Sequence, residues 1–135
     1  MDPILSVFIT DDCAPVRERL AALISDMQAV ELVGQAGDPY EALEAIQRLR
    51  PRVVILDIRM AGCNGFRVLD IIKRDLADTV VIMLTAFPFP QYRQKCLKAG
   101  AAYFFDKATE FHRIGEVLEQ LQQRISSEQA VSLAQ

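Results

Sequence analysis

The run Val53-Val54-Ile55-Leu56, apolar at every position and ending on Asp57, constrains the fold more than any other feature. It is short enough for a strand, and without polar alternation both of its faces must be buried. Strands of that kind belong to parallel sheets covered by helices on both sides. Two more runs behave alike: residues 4–10, closed by Asp11-Asp12, and residues 79–84, closed by Thr85.

The segments between these runs change period. From Pro15, which suits a first helical turn because its missing N–H is not needed there, Val16, Leu20, Leu23, Ile24 and Met27 recur at helical spacing, with Arg17, Glu18 and Arg19 on the other side. Residues 31–36 read as a weaker strand ended by Gly37-Asp38-Pro39. Asp38 is a natural N-cap, with Pro39 at N1 and Glu41 at N3. The helix it opens turns Leu43, Ile46 and Leu49 inward and stops before Pro51.

After Asp57, the loop over residues 59–64 leads to a helix with Phe66, Leu69 and Ile72 on one face. Residues 91–99 form a short helix stopped by Gly100. Residues 102–105 form a strand ending at Asp106-Lys107, and a last helix starts near Thr109 and buries Phe111, Ile114, Leu118, Leu121 and Ile125. Residues 127–135 read as a short polar tail, leaving one domain over residues 1–126. Five strand–helix alternations with short connections predict an α/β fold, a doubly wound five-stranded parallel sheet with helices on both faces. A chain of 135 residues suits one such domain with its own core.

Composition removes several functions. Half of the residues are apolar and a quarter charged, the balance of a soluble globule, and the net charge is only −3. No basic stripe is present to hold nucleic-acid phosphates, so direct contact with DNA or RNA is not expected. No run is long enough to span a bilayer, and the short apolar run after Met1-Asp2-Pro3 has no basic flank, so neither a membrane span nor a signal peptide is expected. Cys13, Cys63 and Cys96 lack the spacing of a zinc site or a disulfide framework, which points to a reducing, cytoplasmic setting.

In doubly wound sheets, ligands bind beyond the carboxyl ends of the strands. Those ends are Asp11-Asp12, Asp57, Thr85 and Lys107. Each alone has a plain structural reading: an acid there is a turn former or cap, and a lysine is solvated. Together they bring three carboxylates, a hydroxyl and an ammonium into one crevice. Clustered carboxylates repel one another unless a cation or a shared proton relieves them. Hard oxygen ligands at a hydrated site favour Mg2+. That ion, with a lysine and a hydroxyl, can neutralise a phosphoryl group in transfer.

The segments VFITDDCAPVR (residues 7–17), VVILDIRMAGCNG (53–65), VVIMLTAF (80–87) and AYFFDKA (102–108) resemble the receiver domain of two-component response regulators, over nearly the whole chain. The resemblance implies the CheY-like, flavodoxin-like three-layer fold. It implies that Asp57 is the phosphoacceptor, taking a phosphoryl group from a phosphohistidine. Asp12 is then a direct Mg2+ ligand and Asp11 an assistant largely through water. Asp57 itself and the backbone carbonyl of Arg59 complete the protein's share. Lys107 sits against Asp57 and then binds a phosphoryl oxygen, Thr85 turns its hydroxyl toward the new group, and Ala86 leaves that oxygen room. Phe104 occupies the place of the switch aromatic.

Three positions depart from the family pattern. Ala61 and Ala108 stand where proline is common. Because a cis bond before a non-proline residue costs roughly 2.5–4 kcal/mol, the Lys107–Ala108 bond is expected to be trans, or the loop to differ. Phe104 replaces the commoner tyrosine. Without a hydroxyl it either swings inward by apolar burial alone or is an aromatic that does not switch. Tyr103 falls on the opposite face of its strand.

Arg59 and Phe87 border the path of the hydrolytic water in the family. Neither orients water well, which predicts slow self-dephosphorylation unless both point to solvent. Cys13 and Cys63 lie in loops beside the site. A redox role for them would need a cation to lower the thiol pKa against three carboxylates, so ordinary loop residues are the default. His112 has no partner and reads as an exposed helical residue. Phe87-Pro88-Phe89-Pro90 either covers the core edge or belongs to a partner surface.

The expected function is a single-domain response regulator, not an enzyme beyond its own phosphorylation and dephosphorylation. Its donor is a sensor histidine kinase or a histidine phosphotransfer protein. Its output is made in trans, to a target protein, through the fourth and fifth helices and the fifth strand. Two neighbouring readings stay open: a phosphorelay intermediate or phosphate sink, and the receiver portion of a longer transcription factor. A magnesium-dependent phosphatase would need a general acid where Arg59 stands. A flavin module would need a phosphate loop where Asp11-Asp12 would repel the phosphate.

Overall fold

A computed structural model describes residues 2–60 and 63–134. The chain runs β1 (Leu5–Thr10), α1 (Ala14–Ser25), β2 (Val30–Ala36), α2 (Pro39–Leu49), β3 (Val53–Leu56), a two-residue ribbon β4 (Arg59–Met60) and β5 (Cys63–Asn64), α3 (Gly65–Asp75), β6 (Val80–Thr85), α4 (Pro90–Lys98), β7 (Tyr103–Asp106) and α5 (Arg113–Ala134). The main sheet has the order β2-β1-β3-β6-β7, and every neighbouring pair is parallel. This is the predicted five-stranded doubly wound sheet.

The four residues of β3 are all buried, and alternation divides them between two cores. Val54 and Leu56 pack with Phe8, Ile46, Leu69, Ile72 and Met83 under α2, α3 and α4. Val53 and Ile55 pack with Val7, Ile9, Leu20, Ile24, Ile82 and Leu118 under α1 and α5. Register then aligns the strand ends. Thr10 lies opposite Leu56, Leu56 opposite Met83, and Thr85 opposite Asp106. The residues that follow each strand therefore emerge on one edge. The connection leaves β1 for β2 on one side and returns to β3 on the other, and the crevice opens at that reversal.

Local signals in the sequence are realised at several boundaries. The Asp38 carboxylate accepts hydrogen bonds from the Tyr40 and Glu41 N–H groups at 2.8 and 3.1 Å, capping α2. Asn64 accepts from the Arg67 N–H at 3.1 Å and caps α3. Arg50 ends α2 in the left-handed conformation.

Three expectations need correction. The last helix begins at Arg113, because the Asp106 carboxylate captures the Ala108 N–H and the Thr109 hydroxyl and holds residues 107–112 in turns. That helix runs on through Ala134 where a tail was expected, since no glycine or proline follows Gly115 to stop it. Residues 127–133 of it are exposed. Leu49, expected inward, is 40% exposed at the end of α2. Among the described residues, no helix is long and apolar enough to cross a membrane.

Candidate functional site

Asp57 follows β3 directly, and its N–H donates to the Thr10 carbonyl at 3.0 Å, tying it to the end of β1. Asp11 and Asp12 come from that same end. One carboxylate oxygen from each of Asp11, Asp12 and Asp57 lies within 4.8 Å of the others. Asp11 and Asp57 are 2% and 5% exposed, whereas Asp12 faces solvent. Lys107, at the end of β7, reaches across β6 and β3 to both buried acids. Its Nζ is 3.0 Å from Asp57 Oδ2 and 2.7 Å from Asp11 Oδ2.

The remaining oxygens are also engaged. Asp11 Oδ1 accepts from the Cys13 N–H at 2.9 Å, and Asp57 Oδ1 takes a longer bond from the Arg59 N–H at 3.4 Å. Burial pushes the Asp57 carboxyl upward. Lys107 pulls it down and the Asp11 charge pushes it up again, leaving it above the ordinary carboxylate value. Burial also works against the charge on Lys107. The hydrogen bond to Asp11 and the charges of both acids outweigh it, so the lysine is held above its usual value and stays an ammonium. Among the described residues, these three acids then share one bonded ammonium.

That imbalance is the test of fit for a divalent cation. The donors are hard oxygens, two of them preorganised by burial and one open to water, which matches an ion that keeps part of its hydration shell. Asp11, Asp12 and Asp57 are the residues that could hold it. Arg59, whose carbonyl the resemblance nominated, stands at the mouth with its N–H turned to Asp57.

Thr85 is fully buried, and its Oγ1 accepts from the Phe87 N–H at 2.9 Å, which leaves the hydroxyl proton to donate elsewhere. Its carbonyl accepts from the Lys107 N–H at 2.9 Å, joining two functional strand ends. The peptide bond after Lys107 is trans. Phe104 is 4% exposed, packed in the core beneath α4, and its carbonyl accepts from Arg93 Nη1 at 3.2 Å. Tyr103 faces the other core and stacks on Phe105.

Arg59 and Phe87 do not extend separately into solvent. The Arg59 guanidinium lies over the Phe87 ring, 4.1 Å from its centre, and its Nη2 reaches the Tyr92 hydroxyl at 3.4 Å. Phe89 and Phe66 continue this cluster through edge contacts with Tyr92. Cys13 is half-buried at the start of α1. Cys96 is a core residue whose thiol burial pushes up to about 11. His112 is exposed, in a turn rather than in a helix. Ala61 and the Cys63 side chain lie outside the described residues.

Two features in contact with the Asp11 side chain or the Asp57 backbone are absent from the sequence reading. The first is the short bond from Lys107 to Asp11, which depends on how far a flexible side chain spans three strands. The second is Gly65. A Cβ there would overlap the Asp57 carbonyl oxygen and lie 2.8 Å from Ile58 Cα, so α3 can start against the Asp57 backbone only with glycine. The signal was present, as a glycine directly after the Asn64 cap.

The model of the response regulator receiver domain matches residues 7–119. The transcriptional regulatory protein BtsR of Salmonella typhi is 33% identical over 129 residues, 96% of this chain and 52% of BtsR. The sensory transduction protein LytT of Bacillus cereus is 28% identical over 124 residues, 92% of this chain and 50% of LytT. The chain thus spans about half the length of these curated relatives. The crystal structure of the response regulator domain of Thermotoga maritima CheB superposes with a TM-score of 0.78 at 27% identity, covering 92% of this chain and 97% of that one.

Proposed function

Because the chain belongs to the receiver domain family of two-component response regulators, we propose that Asp57 accepts a phosphoryl group from a sensor histidine kinase or a histidine phosphotransfer protein, with Mg2+ held by Asp11, Asp12 and Asp57. The observation that carries this is the geometry around Asp57. A buried carboxylate has one oxygen held by Lys107 at 3.0 Å and the other only weakly bonded, with two more acids beside it.

In this reading the less encumbered Asp57 oxygen attacks phosphorus. The new O–P bond forms as the donor's N–P bond breaks. Held by Asp11, Asp12 and Asp57, Mg2+ would supply positive charge to the phosphoryl oxygens. Lys107 adds its ammonium to one of those oxygens, and Thr85 donates its hydroxyl proton to another. The Thr85 Oγ1 contact with the Phe87 N–H links that event to the loop before α4, and the Arg93 bond to the Phe104 carbonyl links α4 to β7. The signal would leave through α4, β7 and α5 to a target protein, without direct contact to nucleic acid or membrane. The free thiols of Cys13 and Cys96 suit a reducing, cytoplasmic setting.

A second reading, the receiver portion of a longer regulator whose output domain is covalently attached, is favoured by the relatives' greater length. A relay or phosphate-sink role would use the same residues and is separated by return of the group to a histidine phosphotransfer protein. The primary test is incubation with Mg2+ and acetyl phosphate, followed by intact mass. One added phosphoryl group, absent without Mg2+ and absent in Asp57→Asn, is expected. No addition to the wild-type protein would refute the proposal.

A further inference from the structure

Asp11 and Asp12 sit in the turn between β1 and α1, and the usual device for holding such a turn is missing. Cys13, at the N-cap of α1, makes no side-chain cap, and Pro15 in the first turn has no N–H to offer. The turn is instead held from one helical turn further on. Arg17 Nη1 donates to the backbone carbonyl of Asp11 at 2.7 Å, a short charge-assisted bond. The Asp11 carboxylate in turn receives the Cys13 N–H at 2.9 Å. With its N–H bonded to the Ala36 carbonyl at 3.1 Å, the Asp11 peptide is gripped at both ends.

The guanidinium reaches this carbonyl through a slot against the turn between β2 and α2. Gly37 forms the wall. A Cβ at Gly37 would lie 2.9 Å from Arg17 Nη1, 3.6 Å from Arg17 Cζ and 3.5 Å from the Asp11 carbonyl oxygen. Of these, only the tip of the arginine would be forced to move, and it is the free end of a flexible side chain. An alanine at 37 therefore displaces the guanidinium from its position on the Asp11 carbonyl while leaving the backbone in place.

We infer that Arg17 is a positioning residue for the cation site, and that Gly37 exists to admit it. Arg17 sets the Asp11–Asp12 turn so that both carboxylates face Asp57. Groups that orient a metal ligand without touching the metal carry much of a site's affinity. The inference rests on the proposed Mg2+ site, and it assigns a role to an arginine that helical periodicity alone puts on the outer face of α1.

The test compares wild type with Arg17→Met, Arg17→Lys, Gly37→Ala and the Arg17→Met/Gly37→Ala double variant. Mg2+ affinity is measured by calorimetric or NMR titration, and exchange of the Cys13 amide in the metal-free protein reports on the turn directly. Arg17→Met should weaken Mg2+ binding about tenfold and speed Cys13 exchange while the protein remains folded. Gly37→Ala should reproduce both effects with the arginine still present, Arg17→Lys should recover part of the loss, and the double variant should be no worse than either single one. Arg17→Met with unchanged affinity and unchanged Cys13 exchange would overturn the inference. A wild-type protein that binds no Mg2+ refutes the phosphoacceptor proposal, and Cys13 exchange still decides whether Arg17 holds the turn.

Discussion

Gly65→Ala should damage both stability and phosphoacceptance, because the atoms it would strike are main chain. The added Cβ would overlap the Asp57 carbonyl oxygen and approach Ile58 Cα to 2.8 Å and the Asp57 carbonyl carbon to 3.0 Å. An ordinary carbon contact is roughly 3.5–4.0 Å, so α3 must withdraw or the backbone after β3 must shift. No rotamer change relieves it. Overpacking of this kind costs roughly 1–3 kcal/mol. Weakening the Gly65 N–H bond to the Ile58 carbonyl costs about 1 kcal/mol more, and the lower entropy of the unfolded alanine chain returns roughly 0.4–1 kcal/mol. The balance is about 2 kcal/mol, or about 8 °C in Tm for a domain of this size. Since the shifted backbone is that of Asp57, a misplacement near 1 Å should slow phosphorylation on the order of a hundredfold. Thermal melting followed by circular dichroism gives the first number, and initial phosphorylation rates with acetyl phosphate, taken well below both melting points, give the second. Gly115→Ala is the control, since its Cβ would meet only Leu23 at 3.4 Å. It should match or exceed wild-type stability. A Gly65→Ala protein that melts with wild type and phosphorylates at the same rate would refute the packing of α3 against Asp57.

Three further outcomes are expected. Thr10 is fully buried and its hydroxyl has no partner among the described residues, so Thr10→Val should raise stability by about 1 kcal/mol; a lower urea midpoint would show that the hydroxyl is bonded after all. Burial holds the Asp57 carboxyl above its ordinary value despite Lys107. A raised folded-state pKa contributes stability below the unfolded value, and that contribution is lost as pH rises through the folded one. Asp57→Asn should therefore be more stable than wild type at pH near 7, with the gap closing below the ordinary carboxylate range; a gap that widens in acid would reverse the assignment. Arg59 is stacked on Phe87 and neither side chain is a good water-orienting group, so the phosphoryl group should persist for minutes or longer, with a shorter lifetime in Arg59→Ala if the stacked pair excludes water; a wild-type lifetime of seconds in a decay assay would contradict this.

Much of the architecture was legible because burial on both faces leaves a local mark. The run at residues 53–56 needs no partner to declare itself a central parallel strand, and Asp38-Pro39 announces a helix start through its own hydrogen bonding. The candidate site was legible for a related reason. Parallel register puts every strand's carboxyl end on one edge, so Asp11, Asp12, Asp57, Thr85 and Lys107 converge whatever the details of packing. The start of the last helix was not legible, since Thr109 is as good a cap as any until the Asp106 carboxylate bonds to it.

What the sequence by itself determined, then, is the order of strands and helices and the acids, hydroxyl and lysine at the strand ends. Tertiary structure decided which of those groups touch. Lys107 sits closer to Asp11 than to Asp57, Arg17 turns from an apparent surface charge into a clamp on the Asp11 carbonyl, and Gly37 and Gly65 earn their places through the approach of the Arg17 side chain and the Asp57 backbone. The physical reason is range. Periodicity and capping act within one helical turn or one pleat, whereas these contacts join one packed element to another and depend on angstrom-scale approach between them.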